Sequence, residues 1–486
     1  MTDRNAITAP GTDRVFHRMK ILAVLLLSMA MSLMAISSVN VALPTIRLGL
    51  DATEQDIQWV LAGYALSFGV TLIPAGRAGD VLGRGSWFVV GAAIFTVASL
   101  ACGLAPNAFL LNAARLAQGV GAGIFSPQVT GMIQQYFSGG GRAKAFAALG
   151  LTISASVAAG PIIAGAIIDA AGPETGWRWA FFGYLPIGLA CVVLSLFWFP
   201  FVKERARRVA RRNPDVPDPT AVKVDLDPIG SLLLTATVLA VMYPFMARQG
   251  WAWWLLLAAP LLLAAWWKWE RRYAAVGREP LVDLDLFKYR SYRNALLVAG
   301  AAFMGLTSTF AVVAIFLQTG HGVSALHSGL IGLPNAILSA FTSIWTVRFV
   351  MTRGRRLVVV ALSILLTGIL TSILVVWAMQ QFGISFWWLA GPLGLIGGAM
   401  GAFSSANQTL SMIDIPVQHG GTASGLKQTV ERITTALGNA AITGVFFAFV
   451  AVGDWTVGFM GAFAGIAVCI LLALMLAIFD ERQHAG

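Results

Sequence analysis

The stretch from Ile21 to Ile46 reads ILAVLLLSMAMSLMAISSVNVALPTI and contains no Asp, Glu, Lys, Arg or His; Lys20 and Arg47 flank it. A helix needs about 20 apolar residues to cross the hydrocarbon core of a bilayer, and this stretch is longer. It is also too long for a cleaved signal peptide, and no small-residue cleavage site follows it. The stretch therefore predicts a first membrane-spanning helix.

The rest of the chain has the same character. Of its 486 residues 57% are hydrophobic and only 11% are charged, whereas a soluble domain carries about 25% charged residues. The apolar blocks are continuous and do not alternate in polarity, which excludes a β-barrel and leaves helices as the spanning structure. We predict an all-α membrane protein with fourteen spans at 20–44, 57–75, 86–104, 109–136, 144–168, 179–201, 229–247, 251–268, 293–317, 325–349, 357–379, 385–411, 423–450 and 456–479.

The positive charge is distributed in loops, not on one face of a domain. The net charge of +11 could indicate a nucleic-acid binder, but the basic residues lie between apolar blocks. If the N-terminus is cytoplasmic, 27 of the 33 Lys and Arg residues fall on the cytoplasmic side and only three on the outer side. This asymmetry predicts a multi-pass plasma (inner) membrane protein with both termini cytoplasmic and no nucleic-acid partner. The other three basic residues, Arg115, Lys427 and Arg432, lie within spans.

Polar segments divide the chain. We predict a cytoplasmic N-terminus (1–19), a six-helix bundle (20–201), a cytoplasmic linker (202–228), two additional helices (229–268), a cytoplasmic or interfacial loop (269–292), a second six-helix bundle (293–479) and a cytoplasmic tail (480–486).

A weak internal repeat supports the two bundles. GIFS at 123–126 matches GAFS at 401–404, and GR at 83–84 matches GR at 354–355, with offsets of 271 to 278 residues. Duplicated halves around a central site are a transporter architecture.

A glycine-rich turn with a carboxylate joins the second and third spans. Asp80 and Arg84 lie four residues apart, and Gly76 and Gly83 let helix ends approach closely. A carboxylate here can pair with a cation on a neighbouring helix or cap a helix N-terminus. Such a contact can hold one state of a two-state gate. The alternative is that these charges only anchor the topology.

Two features inside spans indicate mechanism. Arg115, three residues before Gln118, lies about two turns into the fourth span. Inserting an Arg at the middle of a membrane helix costs about 2.5–3.5 kcal/mol, so its side chain should face a cavity or a partner. The alternative interpretation is that the side chain extends to the membrane interface. Gly160, Pro161 and Gly165 form a small-residue, kink-prone segment in the fifth span that permits close helix packing.

These motifs occur together and in order. The sequence resembles the major facilitator superfamily, and within it the fourteen-helix drug:proton antiporter family, in Gly76 to Arg84, the Arg115 stretch, Gly160 to Gly165 and the VNVALP run at 39–44. The resemblance covers nearly the whole chain. It implies two six-helix bundles, a central cavity, and alternating access that exports hydrophobic or amphipathic small molecules in exchange for protons.

The chain departs from that family where its first helix usually carries an Asp, because Ala35 stands there. Glu431 is the one acid within the predicted spans, flanked by Lys427 and Arg432. We predict proton coupling at Glu431, Arg115 and Arg432; alternatively Lys427 and Glu431, four apart on one helix face, only satisfy each other. The predicted substrate cavity consists of Asn40, Arg115, Gln118, Ser126, Asn335, Asn407, Lys427 and Glu431.

Two functions remain open at this point. The first is proton-driven efflux of a hydrophobic or amphipathic solute by a monomer in contact with membrane lipids. The second, motivated by Ala35 and three intramembrane cations against one acid, is export or flipping of a lipid or anionic natural product without the usual proton coupling. An enzyme is not expected, because the spans carry no His or Asp cluster, no nucleophile with a base and no metal ligand set. No cofactor or metal is expected either.

Overall fold

A computed structural model of the protein describes residues 6–9, 12–172, 174–206, 225–247, 250–323 and 325–485. The predicted linker at 202–228 lies largely outside these residues. So do the first five residues of the predicted N-terminal segment and the last residue of the predicted tail.

The described chain is helical apart from one hairpin near the N-terminus, which the sequence did not lead us to expect. In the hairpin β1 (Ala6–Ala9) pairs antiparallel with β2 (Thr12–His17). The helices are α1 (Arg18–Ser37), α2 (Val39–Leu50), α3 (Glu54–Leu82), α4 (Arg84–Leu104), α5 (Ala108–Tyr136), α6 (Gly139–Ala171), α7 (Gly176–Phe182), α8 (Tyr184–Trp198), α9 (Pro228–Ala247), α10 (Leu255–Ala275), α11 (Arg290–Ile315), α12 (Ala325–Leu330), α13 (Leu333–Trp345), α14 (Val347–Phe382), α15 (Ala390–Ser411), α16 (Gly420–Val452) and α17 (Trp455–Ala485).

Twelve helical stretches of the described residues, some joined across a short turn, are long and apolar enough to cross a membrane. Pro228–Pro244 is a shorter apolar helix. The all-helical fold is therefore confirmed, while the count of fourteen spans and the side of the termini stay predictions. The two predicted spans outside the twelve are 229–247, which corresponds to the shorter helix, and 325–349.

The predicted span at 325–349 is divided in the structure. Gly332 forms a turn after α12, and α13 begins with a Pro in its first turn, Pro334. Because Pro has no N–H to donate, it suits a helix start better than an interior. A second break lies in α14, where Arg353 has non-helical backbone angles (φ −135°, ψ 28°). It coincides with the predicted connection before 357–379.

The first of two compact units consists of Met1–Ser138, Ser156–Leu286 and Ile415–Thr429. In it α5 packs against both α3 and α4. Glycines allow this close approach: a Cβ on Gly121 would lie 2.5 Å from the backbone N of Phe95 and 2.8 Å from the carbonyl O of Gly91. The helix pair α9 and α10 packs together, and α9 also contacts α3.

The second unit consists of Gly139–Ala155, Phe287–Asp414 and Val430–Gly486. Here α13 and α14 pack against α15, and α11 and α14 pack against α17. Its apolar core includes Phe316, Leu365, Phe403, Phe459 and Phe463. Two helices, α6 and α16, contribute residues to both units.

The α4–α5 contact yields a stability prediction. Gly121→Leu should lower the free energy of unfolding by about 1–3 kcal/mol, because the added side chain meets backbone atoms of α4 that have no room to move. Gly391→Leu is the control, since a Cβ there meets nothing within 4 Å. The measurement is thermal unfolding of both purified variants in the same detergent. Equal melting temperatures for the two would contradict this account of the packing.

Candidate functional site

The carboxylate of Asp80 caps the N-terminus of α16. Its Oδ1 accepts from the backbone N–H of Gly421 (3.0 Å), and its Oδ2 accepts from the N–H (2.7 Å) and the hydroxyl (3.0 Å) of Thr422. The first N–H groups of a helix lack intrahelical partners and carry the positive end of the helix dipole, so a carboxylate is well suited to this position. Asp80 is 5% exposed, which strengthens these charge-assisted bonds.

Arg84 completes this cap. Its Nε (2.9 Å) and Nη2 (2.7 Å) both donate to Asp80 Oδ1. Its Nη1 donates to the carbonyl of Gly131 at 2.7 Å, and its Nη2 also donates to the carbonyl of Val417. The guanidinium thereby joins the ends of α3 and α5 to the residues that precede α16. We call Asp80, Arg84, Val417, Gly421 and Thr422 the cap cluster.

Glycines make room for the cap cluster. A Cβ on Gly76 would lie 2.5 Å from the carbonyl O of Gly421, and a Cβ on Gly421 would lie 2.7 Å from Asp80 Oδ1. Gly83 has φ +122°, a conformation that favours glycine. The predicted roles of Gly76 and Gly83 as positions of close approach thus fit the geometry.

A cavity of about 270 Å³ borders the cap cluster. Besides Asp80 and Arg84, it is lined by Tyr136, Phe201 and Lys203. The Lys203 ammonium donates to the backbone carbonyl of Asp80. Charged groups from several helix ends therefore surround this cavity.

Arg115 lies in the interior of the first unit and is 1% exposed. Its Nε donates to the carbonyl of Val60 at 2.9 Å, and its Nη1 donates to Gln118 Oε1 at 2.6 Å. The guanidinium lies 4.4 Å from the ring centroid of Tyr64. Gln118 in turn donates to the hydroxyl of Ser99 at 2.7 Å. Buried charges need such compensation, and here it comes from dipoles and a ring.

Ala35, the position where the resembled family carries an acid, lies beside this arginine. Arg115 Nη1 also donates to the carbonyl of Ala35 at 3.4 Å, and Ala35 is fully buried. Within the described residues no carboxylate pairs with Arg115. The unit therefore keeps a buried positive charge at the point where a helix-one Asp would neutralise it.

Three other predicted cavity residues belong to the first unit: Asn40, Ser126 and Lys427. Ser126 donates to Gln428 Oε1 at 2.6 Å, a pairing that sequence reasoning missed. Asn40 is exposed. Lys427 is 3% exposed. Gly160, in α6, lies so close to α1 that a Cβ would meet the Ser37 side chain and lie 3.1 Å from the Met34 carbonyl.

Four predicted site residues belong to the second unit. Asn335 donates to the carbonyl of Leu393 at 3.0 Å, and Asn407 donates to that of Ala295 at 3.3 Å. Glu431 and Arg432 are half-buried on α16.

Sequence reasoning anticipated that Asp80 caps a helix or pairs with a cation, but not which helix. Small residues at 420–422 before the predicted span at 423–450 are the local sign that a helix begins there. Their partner is 341 residues away along the chain, so nothing in either segment indicates the pairing.

Comparison with known proteins assigns the family. The sequence matches the profile described as Major Facilitator Superfamily over residues 25–439. It is 31% identical over 446 residues to the probable actinorhodin transporter of Streptomyces coelicolor, an overlap of 90% of this chain and 74% of the relative. It is 29% identical over 418 residues to multidrug resistance protein Stp of Mycobacterium tuberculosis, an overlap of 85% and 72%.

A solved structure agrees on the fold. The crystal structure of the human organic anion transporter MFSD10 (TETRAN) superposes with a TM-score of 0.66 at 14% identity, covering 94% of this chain and 99% of that one. The chain belongs to the major facilitator superfamily. It is a multi-pass plasma-membrane transporter and not an enzyme, which confirms those predictions.

The cap cluster yields a second stability prediction. Asp80→Asn should lower the free energy of unfolding by about 1.5–3 kcal/mol, because the amide loses the charge that the α16 dipole and Arg84 both compensate. Asp414→Asn is the matched control, since Asp414 is exposed and lies just before α16. Thermal unfolding in detergent measures both. A control that melts as low as the Asp80 variant would refute a specific role for this cap.

Proposed function

We propose that the protein is a secondary active efflux transporter that exports hydrophobic or amphipathic small molecules by alternating access, coupled to proton influx. The observation that carries the proposal is the cap cluster. A buried, multiply bonded carboxylate holds the first turn of α16, and this contact lies within the first compact unit, which includes the helix as far as Thr429. Such a contact has the properties of a latch in a two-state transporter.

The direction of transport rests on similarity. The two relatives compared above are named as a transporter of actinorhodin and a multidrug resistance protein. The first name gives transport of a small molecule and the second gives resistance to drugs, which together support export as the direction here. A chain rich in apolar and aromatic residues suits cargo of that kind.

In this proposal Glu431 carries the coupling proton. It lies on α16, the helix that Asp80 caps, so protonation of Glu431 and release of the cap would act on the same helix. Arg432, the next residue along the helix, contributes positive charge beside it, and Arg115 is the third residue that we propose for proton coupling. One proton moving down about 100 mV releases about 2.3 kcal/mol, enough to sustain a roughly fortyfold solute gradient.

Proteoliposome flux tests the coupling. With a pH gradient imposed, wild-type protein should drive flux of at least one dye from a panel of neutral, cationic and anionic fluorescent amphiphiles. Glu431→Gln should reduce that flux to its level without a gradient, because the amide takes up no proton. Asp414→Asn, the exposed acid, should behave as wild type. Gradient-driven flux that survives in the Glu431 variant would disprove coupling at this residue.

A second candidate function is export of an anionic amphiphile or lipid without the usual coupling. The buried Arg115, with carbonyls, an amide and a ring as its described partners, favours it. Since Arg115 is 1% exposed, it would act through its field and not by direct contact with cargo. An uncompensated cation in a low-dielectric interior attracts anions and repels cations.

Substitution of Ala35 distinguishes the two candidates. Ala35→Asp places a carboxylate beside the Arg115 guanidinium and should weaken binding of a carboxylated dye by roughly tenfold, about 1.4 kcal/mol. Ala35→Asn has the same shape without the charge and is the control. Binding of tetraphenylphosphonium, a lipophilic cation, should strengthen or stay unchanged in the Asp variant. If both probes weaken equally in both variants, the effect is steric and the second candidate fails.

A further inference from the structure

The two additional helices carry a pair of buried acids that neither candidate function uses. Asp227 precedes α9 and Glu270 lies on α10, and both are fully buried. On α10 the buried residues are Ala259, Trp266 and Glu270, which form one stripe of an otherwise exposed helix. An acid in such a stripe is unexpected, because burying a charge without compensation is costly.

The two carboxyl groups border the same small space. A Cβ placed on Gly230 would lie 2.9 Å from Glu270 Oε1 and would also collide with Asp227 Oδ2. Gly230 thus leaves the space that both carboxyl groups border. Within the described residues, Asp227 Oδ2 and both oxygens of Glu270 lack a hydrogen-bond partner.

Among the described residues the surroundings offer hydrogen-bond donors, and no cation is paired with either acid. Asp227 Oδ1 accepts from the N–H of Gly230 and from Trp269 Nε1, both at 2.9 Å. The indole N–H of Trp266, itself 3% exposed, and the backbone N–H groups of Leu281 and Val282 face Glu270. None of these three bonds reaches full hydrogen-bond geometry, and Trp266 Nε1 has no other partner in the described chain.

Nearby charged groups are directed elsewhere. Arg77, from α3, donates to Glu279 at 2.6 Å. Arg271 lies over the Trp267 ring and Arg278 over the Tyr273 ring, at 5.3 and 5.4 Å.

Helix α9 has no charged residue between Pro228 and Ala247. Asp225 accepts from the Tyr273 hydroxyl at 2.7 Å. The charged side chains that remain on α10 and on the segment after it lie at exposed or half-exposed positions: Lys268, Arg272, Asp283, Asp285 and Lys288.

We propose that Asp227 and Glu270 form a proton-binding site, in which the two carboxyl groups hold one proton between them. Two adjacent buried carboxylates repel each other, and one shared proton removes the repulsion and gives an unpartnered oxygen a donor. N–H groups facing Glu270 suit a carboxyl group and oppose a metal cation. The proton comes from water and returns to water, and only an O–H bond is made or broken.

The site also has a route to the cap cluster. The backbone N–H of Asp227 donates to Asp225 Oδ1 at 3.3 Å, and the carbonyl of Asp225 accepts from Arg77 at 3.4 Å. Arg77 lies three residues before Asp80 on α3. Proton loss leaves two negative charges without a cation, which opposes the packing of α9 on α10 beside this end of α3. The site is thus a proton sensor on the inserted helix pair, and it stands whether or not transport is proton-driven.

Infrared spectroscopy of the full-length protein in lipid nanodiscs tests this site. The C=O stretch of a protonated carboxylic acid is resolved from that of a carboxylate. At neutral pH the wild type should show one such band from a buried group, and the band should disappear on alkaline titration. Glu270→Gln and Asp227→Asn should each lose it. Asn at 227 keeps the cap of α9 and tolerates the positive φ of 42° found there.

Glu279→Gln is the matched control, because this carboxylate lies on the same segment but is 51% exposed. It should retain the band. The wild-type measurement tests the proposal even if a variant fails to fold. Absence of the band in the wild type at neutral pH, or its persistence in both Glu270→Gln and Asp227→Asn, would overturn the proposal.

Discussion

The fold depends on how the end of α3 holds the beginning of α16. Asp80 accepts five hydrogen bonds, two from helix-terminal amides, one from a hydroxyl and two from Arg84. The two helix-terminal amides have no intrahelical acceptor, so the carboxylate satisfies groups that the helix itself leaves without a partner. A contact of this kind is strong when closed and costly when partly open, because a half-satisfied buried network loses more than it keeps. It therefore favours two discrete states over a continuum, as the proposed alternating access would require.

A second constraint is the treatment of charge within the membrane interior. Arg115 is compensated by the carbonyls of Val60 and Ala35, the amide of Gln118 and the ring of Tyr64. Dipoles stabilise the guanidinium without cancelling its charge, so a positive potential persists around it. With Ala35 in place of an acid, this protein has a different electrostatic interior from the family it resembles. That difference bears on cargo charge more directly than on the fold.

The two additional helices, α9 and α10, show the opposite arrangement of charge. Arg115 is a cation surrounded by acceptors, whereas Asp227 and Glu270 are acids surrounded by a few N–H donors. Both arrangements lie in the same compact unit, and α9 contacts α3 directly. The pair is thus part of the first unit's packing and is positioned to report its own protonation to α3.

Sequence alone determined the membrane class, the helical fold and the family, because uncharged blocks longer than a bilayer and glycine-rich motifs are local signals. It also singled out Asp80 as a capping acid and Arg115 as a buried cation. Only the tertiary structure decided that Asp80 meets Gly421 and Thr422, that Ser126 meets Gln428, and that Asp227 faces Glu270. Those partners lie tens to hundreds of residues apart, and no local propensity encodes which helix ends meet. The division of 325–349 was partly predictable from sequence, since Gly332 and Pro334 are visible there. An apolar block with a Pro can form either a kinked helix or two separate helices. Tertiary packing decides between these two outcomes.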